Sequence, residues 1–245
     1  MPRTSRERSA TGYYHIIIRG INRQSIVIDD QDRVKLIDTL RRYFVAPDTA
    51  LVAYCLMDNH LHLLIRAEGD IAMLIKKVAS SYVYYYNHRY DRVGHLFQDR
   101  FRSEPIDTEA YLLTAARYIL QNPLKAGICG VKEYPWSSWK DTETGAGLCD
   151  TRLLCECAGD RRALIEYCLT PNEDRCLDLR EDKVLKDADA LTILRRISRL
   201  TNPADIASLS KIARNAILAE AKKKGLSVRQ ISRLTGLDRN IIQRI

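Results

Sequence analysis

The chain has 245 residues, 46% of them hydrophobic and 29% charged, with a formal net charge of +8. This is an ordinary globular composition, long enough for one large domain or a domain with an appendage. No apolar run reaches membrane-span length, no signal-peptide core follows the basic start, and the seven cysteines form no regular framework, so a cytoplasmic protein that does not meet a membrane is expected.

Charge is unevenly spread. Residues 1–140 carry 20 Lys and Arg against 15 Asp and Glu, residues 141–190 carry 7 against 13, and residues 191–245 carry 12 against 3. A basic front and a strongly basic tail point to two parts that face nucleic acid. An acidic helical connector, 141–190, would join them. Cys149, Cys155, Cys157, Cys168 and Cys176 lie in the connector, but Cys-x-Cys spacing without a local histidine argues against a zinc site.

Residues 1–11 read as a basic arm. The β-branched and aromatic run Tyr13–Arg19 predicts a strand closed by Gly20. Acidic residues Asp29, Asp30 and Asp32 open a helix with Val34, Ile37, Leu40 and Phe44 at helical spacing, ended by Pro47. Leu51–Met57 and His60–Ala67 follow as two strands of a hairpin around Asp58-Asn59. Alternation along a strand puts His60 and His62 on one face, a pleat apart. There they can share a divalent metal, or serve as ordinary strand histidines.

Gly69-Asp70 starts a second helix along Ile71, Leu74, Ile75, Val78 and Tyr82. Its tyrosines 82, 84, 85, 86 and 90, beside Lys76, Lys77, His88 and Arg89, are expected mainly to pack, with a ring left over to stack on a base. Gly94–Ser103 supplies the last strand, Phe97 and Phe101 on one face, Arg100 and Arg102 on the other. The order β-α-β-β-α-β predicts an α+β domain built on a ferredoxin-like antiparallel sheet with helices on one face.

Asp107 is expected to cap a third helix that carries Tyr118 and stops at Asn122-Pro123; Tyr118 and Asn122, four apart, share its C-terminal face. The aromatic stretch 133–140 would pack back on this domain. Near the end, a basic helix Leu209–Lys224, a Gly225-Leu226 break and a Ser227–Gln230 capping box lead to a turn at Thr235-Gly236-Leu237. The last helix, from Arg239, would complete an all-α helix-turn-helix, with Arg239, Asn240, Gln243 and Arg244 available to base edges and phosphates. A small bundle that only packs is the alternative.

His60-Leu61-His62 resembles the His-hydrophobic-His motif of the HUH single-strand endonucleases. Gly94-His-Leu-Phe-Gln-Asp-Arg-Phe-Arg-Ser103 and Arg117-Tyr-Ile-Leu-Gln-Asn-Pro-Leu-Lys-Ala-Gly127 are similar to blocks of the REP-associated tyrosine transposases. The resemblance covers residues 12–140, with three separated motifs in the right order. It implies a ferredoxin-like sheet, Tyr118 as nucleophile, and Asn122 completing a metal site with His60 and His62. Single-stranded, hairpin-forming repeat DNA is the implied substrate. The C-terminal helices resemble, over a shorter stretch, the helix-turn-helix of chromosomal replication initiators, which implies a duplex DNA contact.

The residues suit that chemistry. A tyrosine pKa of about 10 leaves roughly one phenolate in a thousand at neutral pH, so the phosphate must be made more electrophilic by a cation. Two imidazoles and an amide leave Mg2+ or Mn2+ nearly its full charge, manganese suiting imidazole better. Tyr118 alone among thirteen tyrosines sits on a helix after the final strand with a polar ligand type four residues on. Arg100 and Arg102, and less strongly Arg19 and Arg23, are candidates to hold the strand. The competing expectations are a domesticated DNA-binding regulator that does not cleave, and an RNA binder using the sheet and tyrosines.

Overall fold

The computed structural model describes residues 6–98, 100–174, 176–177 and 187–243. Contacts divide the chain into two units, Met1–Asp178 and Leu179–Ile245.

The first unit is built on four antiparallel strands, β1 (Tyr13–Arg19), β2 (Thr49–Leu56), β3 (His60–Ala67) and β4 (Arg102–Ile106), in the order β2-β3-β1-β4. Helices α1 (Asp30–Tyr43) and α2 (Ile71–Arg89) pack on one face over Ile16, Ile18, Leu61, Leu63 and Ile65. This is the expected ferredoxin-like sheet. The other face is covered too. Helix α3 (Glu109–Leu120) lies there with α6 (Arg152–Ala158) and α7 (Arg161–Leu169), which bury Leu154, Leu164 and Cys168 against Leu112, Ile119 and Leu64. Covering on both sides explains why the central strands read as continuous apolar runs rather than alternating ones. Two short helices, α4 (Asn122–Lys125) and α5 (Trp139–Thr144), complete this unit.

The β2-β3 hairpin closes through Met57 N–H donating to the His60 carbonyl, with Asp58 and Asn59 between them. Neither takes a left-handed backbone, as an ordinary two-residue hairpin turn requires of at least one residue. The turn is held from outside instead: Ile26 N–H donates to the Asp58 carbonyl and Gly20 N–H to the Asn59 carbonyl. Gly20 is obligatory here, since a Cβ would lie 2.1 Å from the Gln24 carbonyl oxygen.

Two local expectations need correction. The last strand begins at Arg102, not near Gly94; residues 94–98 instead form an isolated bridge between Gly20 and Phe97, with Gln98 N–H donating to the Arg19 carbonyl. The cap of α3 is Thr108, whose hydroxyl accepts from Tyr111 N–H, because the Asp107 carboxylate is already taken by Ser9 and Ala10 of the N-terminal arm.

The α2 tyrosines mostly pack, as expected. Tyr82 and Tyr86 are buried, while Tyr84 is 77% exposed. Tyr85 and Tyr90 donate to Asp32, a fully buried carboxylate on α1 that also accepts from Ile28 N–H and from Arg89 at 2.8 Å. Removing one partner of a buried, hydrogen-bonded pair costs about 3–5 kcal/mol. Asp32→Ala is therefore expected to lower unfolding stability by about 3 kcal/mol, Arg89 keeping its second partner Asp29. Urea denaturation would measure this, and a loss below about 1 kcal/mol would show that the α1-α2 lock lies elsewhere.

The second unit contains α8 (Asp187–Ser198), a short 3-10 turn at Pro203–Ser208, α9 (Lys211–Lys223), α10 (Val228–Thr235) and α11 (Arg239–Gln243) around Leu194, Leu218, Ile231 and Ile242. The Ser227/Gln230 capping box opens α10, and Gly236, at φ +71°, ends it in the left-handed conformation that favours glycine. Helix, tight turn, helix is the arrangement expected from the sequence. Among the described residues no helix is long and apolar enough to cross a membrane.

Candidate active site

Register carries the chemistry to one place. His62 lies opposite Ile17, and Ile17 opposite Arg102, so these side chains share the face that packs on α3. His15, two residues from Ile17, shares it as well. His60 and His62 have ring centroids 4.9 Å apart. Tyr118, on the inner side of α3, sits edge-on to both His62 and His15, each at 6.1 Å, and is 6% exposed. The sequence-predicted pair of histidines and the tyrosine thus meet.

Asn122 lies at the end of the same helix. Pro123 has no N–H to give the Ile119 carbonyl, four residues back, so that acceptor loses its helical partner. The Asn122 side-chain amide replaces it, donating to the Tyr118 carbonyl at 2.9 Å and to the Ile119 carbonyl at 3.3 Å. With its NH2 turned to the helix, the amide oxygen is the end with metal-ligand character. The helix does not stop at Asn122-Pro123; it kinks and makes one more turn, α4.

Burial decides the protonation states. His15 and His62 are both 0% exposed. Desolvation pushes the His15 pKa down to about 3, and holds that of His62 well below the ordinary histidine value, with the nearby His15 and His60 adding to the effect. Both rings are neutral at physiological pH. His62 Nδ1 is 3.0 Å from His15 Nε2, while the His62 Nε2 is buried without a hydrogen-bond partner. A buried, neutral imidazole nitrogen without a hydrogen-bond partner, beside a second imidazole, fits a divalent cation. Among the described residues no three or more His, Cys, Asp or Glu are grouped as a metal site.

Sequence reasoning missed two residues. His15 lies on a strand buried on both faces, where alternation gives no sign of which side it takes. Lys125 has its ammonium 4.1 Å from the centre of the Tyr118 ring, close enough to act on the phenol or on a phosphate beside it.

The proposed phosphate-holding arginines divide. Arg102 falls in the histidine row and is exposed. Arg19 is half-buried, directly opposite His60. Arg23 is exposed beside the hairpin turn, at φ +62°. Arg100 does not share the Arg102 face; it precedes the strand and lines a groove of about 1040 Å3 along α2 with Arg6, Lys76, Tyr84 and Arg92. In the second unit Arg239, Asn240 and Gln243 are exposed on α11, and Arg244 lies outside the described residues.

The site is thus a four-stranded antiparallel sheet with paired histidines on one strand, facing a tyrosine on α3. Residues 9–122 match the family described as "Transposase IS200 like". Two solved structures are similar. One is described as the structure of a REP-associated tyrosine transposase bound to a REP hairpin, with 19% identity and a TM-score of 0.49 over 60% of this chain and 88% of that one. The other is a protein from Deinococcus radiodurans R1 assigned as a transposase, with 18% identity and a TM-score of 0.35 over 51% of this chain and 96% of that one. No curated protein matches the chain.

Proposed function

We propose that this protein cuts and rejoins single-stranded DNA at hairpin-forming repeats, with Tyr118 as nucleophile and Mg2+ or Mn2+ held by His60, His62 and Asn122. The observation that carries the reading is the meeting of Tyr118 with the His60–His62 pair, whose inner member keeps a buried nitrogen unpartnered. The cation, when bound, would withdraw electron density from the scissile phosphate.

The protein's own groups do the rest. The Tyr118 oxygen forms a bond to phosphorus in line with the 3′-oxygen, whose bond to phosphorus breaks. The phenol loses a proton, the leaving 3′-hydroxyl gains one, and a 5′-phosphotyrosine remains. Because the ester is exchanged rather than hydrolysed, a 3′-hydroxyl of another strand can reverse the step and rejoin DNA. Rigid packing of α3 on the sheet holds the phenol toward the histidines, and Arg102 and Arg19 would hold the strand by its phosphates.

Incubation of the protein with a single-stranded hairpin labelled 3′ to the cut, with Mg2+ or Mn2+, should yield a labelled band that survives denaturation and is prevented by chelation. No adduct and no cleavage, across single-stranded hairpins that include any repeats flanking the gene, would favour the non-cleaving DNA-binding regulator.

The second unit is proposed to add affinity and targeting through Arg239, Asn240, Gln243 and Arg244 on duplex DNA. The packing of α6 and α7 on α3 places a useful truncation at Asp178 rather than near residue 140. A chain ending at Asp178 should still cut excess single-stranded substrate. Its binding should weaken less steeply with salt, the slope of log affinity falling by about 0.9 for each phosphate contact removed. A folded chain of that length that cuts at no concentration would refute this division of labour.

A further inference from the structure

We propose that His15 is the positioning residue of the metal site: it accepts the His62 Nδ1 proton and so holds His62 in the tautomer whose Nε2 can bind a cation. The inference rests on the metal reading above.

His15 Nε2 and His62 Nδ1 are 3.0 Å apart, with both rings fully buried. One hydrogen fits between them. If His15 supplied it, His62 would carry its own proton on Nε2, and that nitrogen could not ligate. If His62 supplies it, His62 Nε2 keeps a lone pair, on a ring 4.9 Å from that of His60 and 6.1 Å from that of Tyr118. The ring-to-ring distance of 5.3 Å and the tilt of 32° fix the His62 plane as well as its tautomer. A ligating imidazole ordinarily has its second N–H held by a carboxylate, a carbonyl or water, and loss of that partner costs about 10–100-fold in metal affinity. Here the partner is another histidine, four residues along β1 from the arginine that faces His60.

Glu104 lies opposite His15 on β4, but its carboxylate accepts from Tyr111 and from Leu177 N–H. His15 Nδ1 is itself buried without a hydrogen-bond partner, so the pair ends at His15 instead of continuing into a carboxylate chain.

Two measurements test this. In the metal-free, full-length protein, 15N NMR of the histidine rings should find His62 protonated at Nδ1 and bare at Nε2. Mn2+ titration by electron paramagnetic resonance should find His15→Phe, which keeps an aromatic ring but offers no acceptor, about 10–100-fold weaker than wild type. His15→Gln, which restores an acceptor oxygen, should recover most of that loss. A folded His15→Phe protein that binds Mn2+ as wild type does would overturn the proposal. So would a wild-type His62 with its proton on Nε2, a result that needs no variant to fold. Wild type that binds no Mn2+ would instead sink the metal reading; the His62 tautomer would then decide the role of His15 by itself.

Discussion

Tyr118→Phe is expected to abolish the covalent DNA adduct and to lower strand cleavage by at least about 10^4-fold, the scale seen when an essential nucleophile is removed. The substitution deletes one oxygen from a ring 6% exposed, leaving its packing beside His62 and His15 in place. Stability should therefore change by no more than about 1 kcal/mol, the net value of a typical hydrogen bond. Mn2+ binding should persist, because no ligand is touched. Cleavage by a metal-activated water would behave differently: the Phe variant would still cut, and wild type would leave no adduct. Peptide mapping of the wild-type adduct should place the nucleotide between Ala116 and Lys125. Attachment to another tyrosine would move the nucleophile while leaving the reaction class intact.

The second large effect is expected at the histidines. His60→Ala should lose divalent-metal binding and about a thousandfold or more in cleavage, since polarising a phosphoryl oxygen contributes several kcal/mol to the transition state. His60 is the cleaner test because it is only half-buried, with its Nδ1 2.6 Å from the Asn59 side-chain oxygen. His62→Ala removes a fully buried ring and strands His15, so a loss of stability should accompany the loss of activity. Calorimetric Mn2+ titration together with thermal melting separates the two contributions. Full activity in the double variant would exclude these histidines as ligands.

How far the site could be read from sequence depends on the range of each signal. Two histidines separated by one residue in a strand must share a face, and a tyrosine and an asparagine four apart on a helix must be neighbours; both follow from backbone period alone. The Ser227/Gln230 box and the break at Gly236 are likewise local, and α10 starts and stops where they put it. Signals that compete for one partner are less secure. Asp107 is as good a cap as Thr108 in sequence, and the N-terminal arm decides between them by taking the carboxylate.

By itself, then, the sequence determined the first three strands and the helices α1 to α3, the pairing of His60 with His62, the helical spacing of Tyr118 and Asn122, and the capped helices near the C-terminus. Each of these is written in a few consecutive residues whose period or side-chain hydrogen bonds act locally. Only the tertiary structure decided that His15 stands beside His62, that Lys125 covers Tyr118, that Arg100 and Arg102 part, and that the acidic stretch after residue 140 supplies helices to the second face of the sheet. Those outcomes depend on strand register and on which layer covers which face, interactions between residues dozens of positions apart. A strand buried on both sides erases the alternation that would have announced them.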